Sequence, residues 1–310
     1  MSTVKIFSGS GSIDLANKIA SKFGKNLGQG KLGKFSDGEL SYRYTETVRG
    51  SDVYIIQSTV DSSDNLIELF LMIDAAKRAS AKYVNVVIPY YGYARQDRKD
   101  KPRIAVSAKL IANLLTASGA SRIVSCDLHA GQIQGFFDIP LDHLNGSSVF
   151  VPYVKSLKLN NIIFASPDAG GTERVRDYAK YFNEDFVICD KTREKANEVK
   201  SVQVIGDVKN KHVIIIDDLI DTGGTIAMAS NVLIEKGAKS VRAIITHPVL
   251  SGKAEENLNN SSLTELVVTD SIPLKFRNKK IKVLSIAGLI AKAIRKIHEN
   301  ESTSSLFINR

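Results

Sequence analysis

Cysteine is scarce: Cys126 and Cys189 are the two in 310 residues, far apart and outside any C-x-x-C or Cys/His ligand spacing. That excludes a disulfide framework and a structural zinc site, and a reducing compartment fits best. No uninterrupted apolar run approaches the roughly 20 residues that a membrane span needs. The opening Met1-Ser2-Thr3-Val4-Lys5-Ile6-Phe7 lacks the apolar core of a signal peptide. A cytoplasmic protein with no membrane partner is expected. The formal charge is +9, yet there is no long Lys/Arg block and no aromatic pattern of an RNA-binding surface. Nucleic acid is therefore not expected as a partner, and most of the excess reads as a basic solvated surface that favours anions in general.

What is present is an ordinary globular composition, 43% hydrophobic and 24% charged, over a length that suggests two domains, each able to bury its own core. Short β-branched runs at 53–57, 83–88, 122–126, 161–165, 212–216 and 241–246 alternate with helical patterns. Leu66, Leu69, Phe70 and Ile73 share one helical face, and Ala227, Ser230, Asn231 and Ile234 have analogous spacing in a later helix. The expected fold class is α/β, two similar domains, each a mostly parallel sheet flanked by helices. An internal echo supports two halves: LLTASGASRIV at 114–124 and LIEKGAKSV at 233–241 each lead a strand toward a histidine, His129 or His247. The polar, Gly-containing stretch 142–148 places the boundary between 1–146 and 147–310. The helical pattern at 286–298 is a candidate to return to the first domain.

The most informative segment is VIIIDDLIDTGGTI at 213–226. A buried strand delivers Asp217 and Asp218 to a turn ending in Gly223, Gly224 and Thr225, followed by a helix. Glycines let backbone N–H groups approach a phosphate closely, and the helix N-terminus with the Thr222 and Thr225 hydroxyls adds donors. The two carboxylates would repel phosphate, so they need another partner: sugar hydroxyls or a hydrated magnesium ion. A phosphorylated sugar meets both requirements. This is the pattern of the phosphoribosyl diphosphate loop, and it resembles the loop of phosphoribosyltransferases and of the corresponding synthetases alike.

Four more strings decide between them. FSDGE at 35–39, PYYGYARQDRK at 89–99, DLHAG at 127–131 and SPDAGG at 166–171 stand in the order and approximate spacing of the ribose-phosphate diphosphokinases, which this chain resembles over nearly its whole length. The resemblance implies a phosphoribosyltransferase-like fold in both domains. It also implies transfer of the diphosphate of ATP to C1 of ribose 5-phosphate, giving AMP. By the same resemblance Arg95 and Gln96, with Lys99 beside them, would bind ATP, and Asp37, Gly38 and Glu39 would reach the adenine region of a neighbouring subunit. His129 and Asp168 would hold Mg2+ at the phosphates, although Asp168 has a plain alternative as a helix cap near Gly170. Lys191 and Arg193 in DKTRE at 190–194 would close over the reacting phosphates on a flap after the strand 186–189. Asp221, Thr222, Gly223, Gly224 and Thr225 would hold the 5-phosphate, with Asp217 and Asp218 on the ring hydroxyls and Arg193 nearby.

The tail ESTSSLF at 301–307 resembles the C-terminal motif of the phosphate-activated, ADP-inhibited class, so Arg49, Ser302, Thr303 and Ser304 are candidates for a regulatory anion site with inorganic phosphate as activator. The resemblance also implies self-association, commonly as a hexamer. One segment departs from the family pattern: Asp100-Lys101-Pro102-Arg103-Ile104-Ala105-Val106 stands where a sequence like ARSREPI is expected. That change bears on allosteric response and subunit contacts. A noncatalytic regulatory homologue is the rival reading, against which the intact catalytic strings argue. A phosphoribosyltransferase would leave the ATP strings and the second domain without a use.

Overall fold

The computed structural model describes residues 2–60, 63–195 and 198–308, with side chains described outside 191–202. Packing divides the chain into two compact units. The first runs to Gly146 and takes back Ser271–Pro273 and Ser285–Phe307; the second comprises Ser147–Asp270 and Leu274–Leu284.

In the first unit, β1 (Val4–Ser8) leads to α1 (Ile13–Phe23), then to the hairpin of β2 (Gly30–Lys34) and β3 (Leu40–Tyr44). Next come β4 (Asp52–Ile56), α2 (Ser63–Arg78), β5 (Tyr83–Ile88), α3 (Ser107–Ser118), β6 (Arg122–Cys126) and β7 (Leu141–Leu144). The sheet is five-stranded, ordered β1-β4-β5-β6-β7, and every pairing is parallel. Parallel strands covered on both faces need apolar residues at successive positions rather than alternate ones, and β4 is buried at all five of its residues. Leu66, Leu69 and Ile73 of α2 are buried against this sheet, with Phe70 packed at its margin.

In the second unit, α4 (Ser147–Ser156), β8 (Ile162–Ser166) and α5 (Thr172–Phe182) precede the antiparallel pair β9 (Phe186–Lys195) and β10 (Glu198–Ile205). Then follow β11 (His212–Ile220), α6 (Gly224–Glu235), β12 (Ser240–Pro248), α7 (Ala254–Asn259), β13 (Leu263–Thr269) and β14 (Ile281–Leu284). Seven strands make one sheet, β10-β9-β8-β11-β12-β13-β14, parallel except at the β9/β10 edge. The final helix α8 (Ala287–His298) belongs to the first unit. There Arg295 Nη2 donates to Phe23 O at 3.0 Å, and His298 Nδ1 lies 2.8 Å from Asp52 Oδ2.

Three sequence expectations need correction. The strand expected at 186–189 is longer: β9 continues to Lys195 and pairs with β10, because a returning strand supplies the partners that local polarity does not reveal. The run 212–216 extends to Ile220, since β12 continues alongside it to Pro248. In α6 the buried face is Ile226, Ala229, Ser230 and Leu233, turned by one position from the expected set. Ile234 is 36% exposed, and Asn231 Oδ1 accepts from Ser262 N at 2.8 Å, so a polar loop contact takes the place of core packing.

The internal echo has a structural basis. α3 and α6 are each followed by a glycine in the left-handed region, Gly119 at φ 109° and Gly237 at φ 90°, where the chain turns toward the next strand. No described helix is long and apolar enough to cross a membrane.

Candidate active site

The second unit carries the phosphate loop. β11 ends at Ile220 and α6 begins at Gly224, so Asp221, Thr222 and Gly223 form the whole connection. Gly223 sits at φ 74°, a left-handed conformation that costs an L-residue with a Cβ about 1–2 kcal/mol. The N-cap residue is Gly223, which supplies no capping side chain at the positive end of the α6 dipole. The loop is braced from behind: Ser251 Oγ donates to Asp221 Oδ1, Ser251 N to Asp221 O at 3.1 Å, and Asn257 Nδ2 to Thr222 O at 2.7 Å. Thr222 is exposed and Thr225 half-buried.

Immediately before the loop stand the two acids. Asp218 N donates to Asp217 Oδ1 at 2.9 Å, and Arg174 Nη1 of α5 lies 3.3 Å from Asp218 Oδ1. Burial above all, then the charge of Asp218, a hydrogen bond with it and the more distant Asp168 hold the Asp217 carboxyl well above the usual carboxylate range; Arg174 acts in the opposite sense. Asp168 follows β8, and its Oδ1 accepts from Gly170 N at 3.0 Å and Gly171 N at 3.2 Å. The helix-capping alternative for Asp168 is thus realised, and it fixes the carboxylate at the strand end near the acid pair. Lys191 and Arg193 lie on β9, their backbones paired with Val202 and Val199; their side chains fall outside the described residues.

The first unit carries the remaining candidates on loops at the C-terminal ends of its strands and on the β2–β3 tip. Asp37, Gly38 and Glu39 are exposed at that tip, closed by Phe35 N to Glu39 O at 2.8 Å and Glu39 N to Asp37 Oδ1 at 3.1 Å. Arg95, Gln96 and Lys99 are exposed on the loop after β5. Ser107 Oγ donates to Gln96 Oε1, and Gln132 Nε2 donates to Asp97 Oδ2 at 2.6 Å, which ties this loop to the segment following β6. His129, also exposed, lies on the turn after β6. That turn is pinned by Asp127 N to Leu144 O at 3.0 Å, Gly146 N to Asp127 Oδ2 at 3.2 Å and Leu128 N to His143 Nε2 at 2.9 Å.

Among the described residues no three His, Cys, Asp or Glu side chains form a metal-binding cluster. The Asp168 carboxylate after β8 and the exposed His129 after β6 are donor types that suit a divalent cation keeping most of its water.

Two family models match: the N-terminal domain of ribose phosphate pyrophosphokinase over residues 4–119, and the phosphoribosyl synthetase-associated domain over 183–308. A ribose-phosphate pyrophosphokinase of Porphyromonas gingivalis is 51% identical, with 97% of each chain covered. One from Campylobacter jejuni is 53% identical, covering 98% of this chain and 99% of the relative. The chain belongs to the ribose-phosphate pyrophosphokinase family. The crystal structure of phosphoribosylpyrophosphate synthetase from Mycobacterium smegmatis has the same fold, with a TM-score of 0.91 at 39% identity, covering 96% of this chain and 99% of that one. Members of this family are transferases, and the α/β architecture with parallel sheets flanked by helices is theirs.

FSDGE lies at the hairpin tip, PYYGYARQDRK, DLHAG and SPDAGG follow strand ends, DKTRE lies within β9 and ESTSSLF follows α8, whereas several supporting residues belong to no motif. Ser251, Asn257 and His143 hold the loops from elsewhere in the chain, and nothing in their local sequence marks them. Arg174 stands three residues beyond SPDAGG, close enough for adjacency to have drawn attention to it. The candidates for the anion site have separate partners: Arg49 Nη1 donates to Ser80 Oγ at 3.2 Å, and Thr303 Oγ1 donates to Asp142 Oδ1 at 3.0 Å. The serine-rich tail is an ordered turn, with Ser302 Oγ accepting from Ser304 N at 3.2 Å.

Proposed function

We propose that the protein transfers the diphosphate of ATP to the C1 hydroxyl of ribose 5-phosphate, forming 5-phosphoribosyl 1-diphosphate and AMP for nucleotide biosynthesis. The observation that carries this is a helix N-terminus whose N-cap is the left-handed Gly223, a short way along the chain from a pair of adjacent carboxylates. Asp221 to Thr225 hold the 5-phosphate through backbone N–H groups and hydroxyls, while Asp217 and Asp218 accept hydrogen bonds from the ring hydroxyls and orient the anomeric carbon. Arg95, Gln96 and Lys99 bind the ATP polyphosphate, and Asp37, Gly38 and Glu39 serve the adenine region of a neighbouring subunit.

The O1 hydroxyl attacks the β-phosphorus in line. Its proton passes to solvent water, the O1–Pβ bond forms, and the bond from Pβ to the α,β-bridging oxygen breaks, that oxygen leaving with AMP. Lys191 and Arg193 neutralise charge on the transferring group, as phosphoryl transfer depends chiefly on alignment and charge. His129 and Asp168 would hold Mg2+, which when bound supplies shielding of the phosphate oxygens. The same reading includes a cytoplasmic homohexamer and phosphate activation through Arg49, Ser302, Thr303 and Ser304.

The test incubates the protein with ribose 5-phosphate, ATP and Mg2+, with and without inorganic phosphate, and follows AMP and the phosphoribosyl product. Sugar-dependent AMP with matching product is expected, stimulated by phosphate. No AMP from folded protein would favour the noncatalytic homologue, and no stimulation would remove the anion site. Lys191→Ala should lower kcat more than it raises either KM; equal losses would take Lys191 out of the transition state.

A further inference from the structure

Asp217 and Asp218 stand near the C-terminal end of β11, where Asp218 N donates to Asp217 Oδ1 at 2.9 Å. Asp218 is 6% exposed, and the guanidinium of Arg174 is 3.3 Å away. Arg174 occupies the first turn of α5, where the positive end of the helix dipole disfavours a cation and an acid is the ordinary choice. Of the groups that act on Asp217, Arg174 is the one favouring its charged form. A residue that breaks a local preference and is committed to a buried acid beside a ligand loop has its reason at the site.

We propose that Arg174 is a positioning residue for the sugar: its guanidinium fixes the Asp218 carboxylate, so that the Asp217–Asp218 pair presents acceptors to the neighbouring hydroxyls of ribose 5-phosphate and selects against a sugar lacking one. The proposal rests on the sugar-binding reading above. Without that counter-charge the Asp218 carboxylate can swing away from its place beside Asp217, and the change withdraws an acceptor from a hydroxyl. With the acceptors held in place, a sugar that lacks the hydroxyl leaves a buried carboxylate unmatched, which is the most effective basis for rejecting it. Arg174 Nη1 faces Asp218 Oδ1 as an ion pair rather than as a hydrogen bond, so lysine at this position keeps the charge but not the reach of the guanidinium and restores part of the effect.

The experiment compares wild type, Arg174→Gln and Arg174→Lys with ribose 5-phosphate and with 2-deoxyribose 5-phosphate, the latter as substrate or competitive inhibitor, at saturating ATP and Mg2+. Arg174→Gln should reduce kcat/KM for ribose 5-phosphate by about tenfold or more, chiefly through KM, because one charged hydrogen-bonding group loses its alignment. The deoxy sugar should change by less than about threefold, so the preference between the two collapses, and Arg174→Lys should fall between. KM for ATP should stay near the wild-type value. Equal losses with both sugars, or an unchanged preference, would overturn the proposal. If Arg174→Gln melts early, Arg174→Lys carries the same comparison. A wild type that makes no AMP from ribose 5-phosphate would instead sink the underlying sugar reading, and this proposal with it.

Discussion

Gly223→Ala isolates the conformational demand of the phosphate loop. A Cβ built at Gly223 would lie 3.7 Å from Ala254 O, Asn257 Cβ and Ile220 Cδ1, ordinary contact distances, so the substitution meets no obstacle. The cost is therefore that of holding alanine at φ 74°, about 1–2 kcal/mol. An empty loop can escape part of that strain by leaving the left-handed region, but an occupied one cannot, because the N–H groups converge on phosphate only in the strained form. The strain then appears in binding, and about 1–2 kcal/mol corresponds to a rise of roughly 5- to 30-fold in KM for ribose 5-phosphate. Both kcat and KM for ATP should stay near wild type. Gly237→Ala is the control: φ is 90° and the nearest atom, Lys209 Cγ, is 3.5 Å away, but the residue closes α6 at its far end. It should lower Tm by about 2–4 °C per kcal/mol of strain and leave KM unchanged. Steady-state kinetics and thermal melts of the two variants decide the matter. If Gly223→Ala matched Gly237→Ala in KM, the claim that this loop grips the 5-phosphate in its left-handed form would be refuted.

Asp217 should shape stability as well as turnover. Its raised pKa means that the native protein keeps a proton that the unfolded chain has released, so stability falls as pH rises from the ordinary carboxylate range through the raised value. Asp217→Asn should flatten that decline and raise Tm above it while sugar-dependent AMP formation is lost; a melting curve parallel to wild type across pH would contradict the sign. His143→Ala removes the acceptor for Leu128 N beside a Leu128 that is 3% exposed. A loss of about 1–3 kcal/mol is expected, seen as a lower Tm, with a higher KM for MgATP because His129 is the next residue along. His143→Gln, which can also accept, should recover part of both, and an unaltered KM for MgATP would separate His143 from any part in nucleotide binding through the turn that carries His129.

Much of this protein is determined by its sequence alone. The short β-branched runs YVNVVI and RIVSC fit strands covered on both sides, and strands lie at 83–88 and 122–126. The DDLIDTGGT loop identifies its own chemistry because the glycine that phosphate binding needs, the acids and the hydroxyls all lie within nine consecutive residues. Tertiary structure decided whatever depends on a distant partner. β9 runs past Cys189 because β10 returns to pair with it, and α6 turns its face by one residue because Ser262 takes up Asn231. Arg174, Ser251, Asn257 and His143 act on site residues through contacts spanning 44, 30, 35 and 15 positions in the chain. Hydrogen bonds and ion pairs act over a few ångströms of space, whereas periodicity and motif report only neighbours along the chain, so the supporting partners of the site became visible only once the chain was folded.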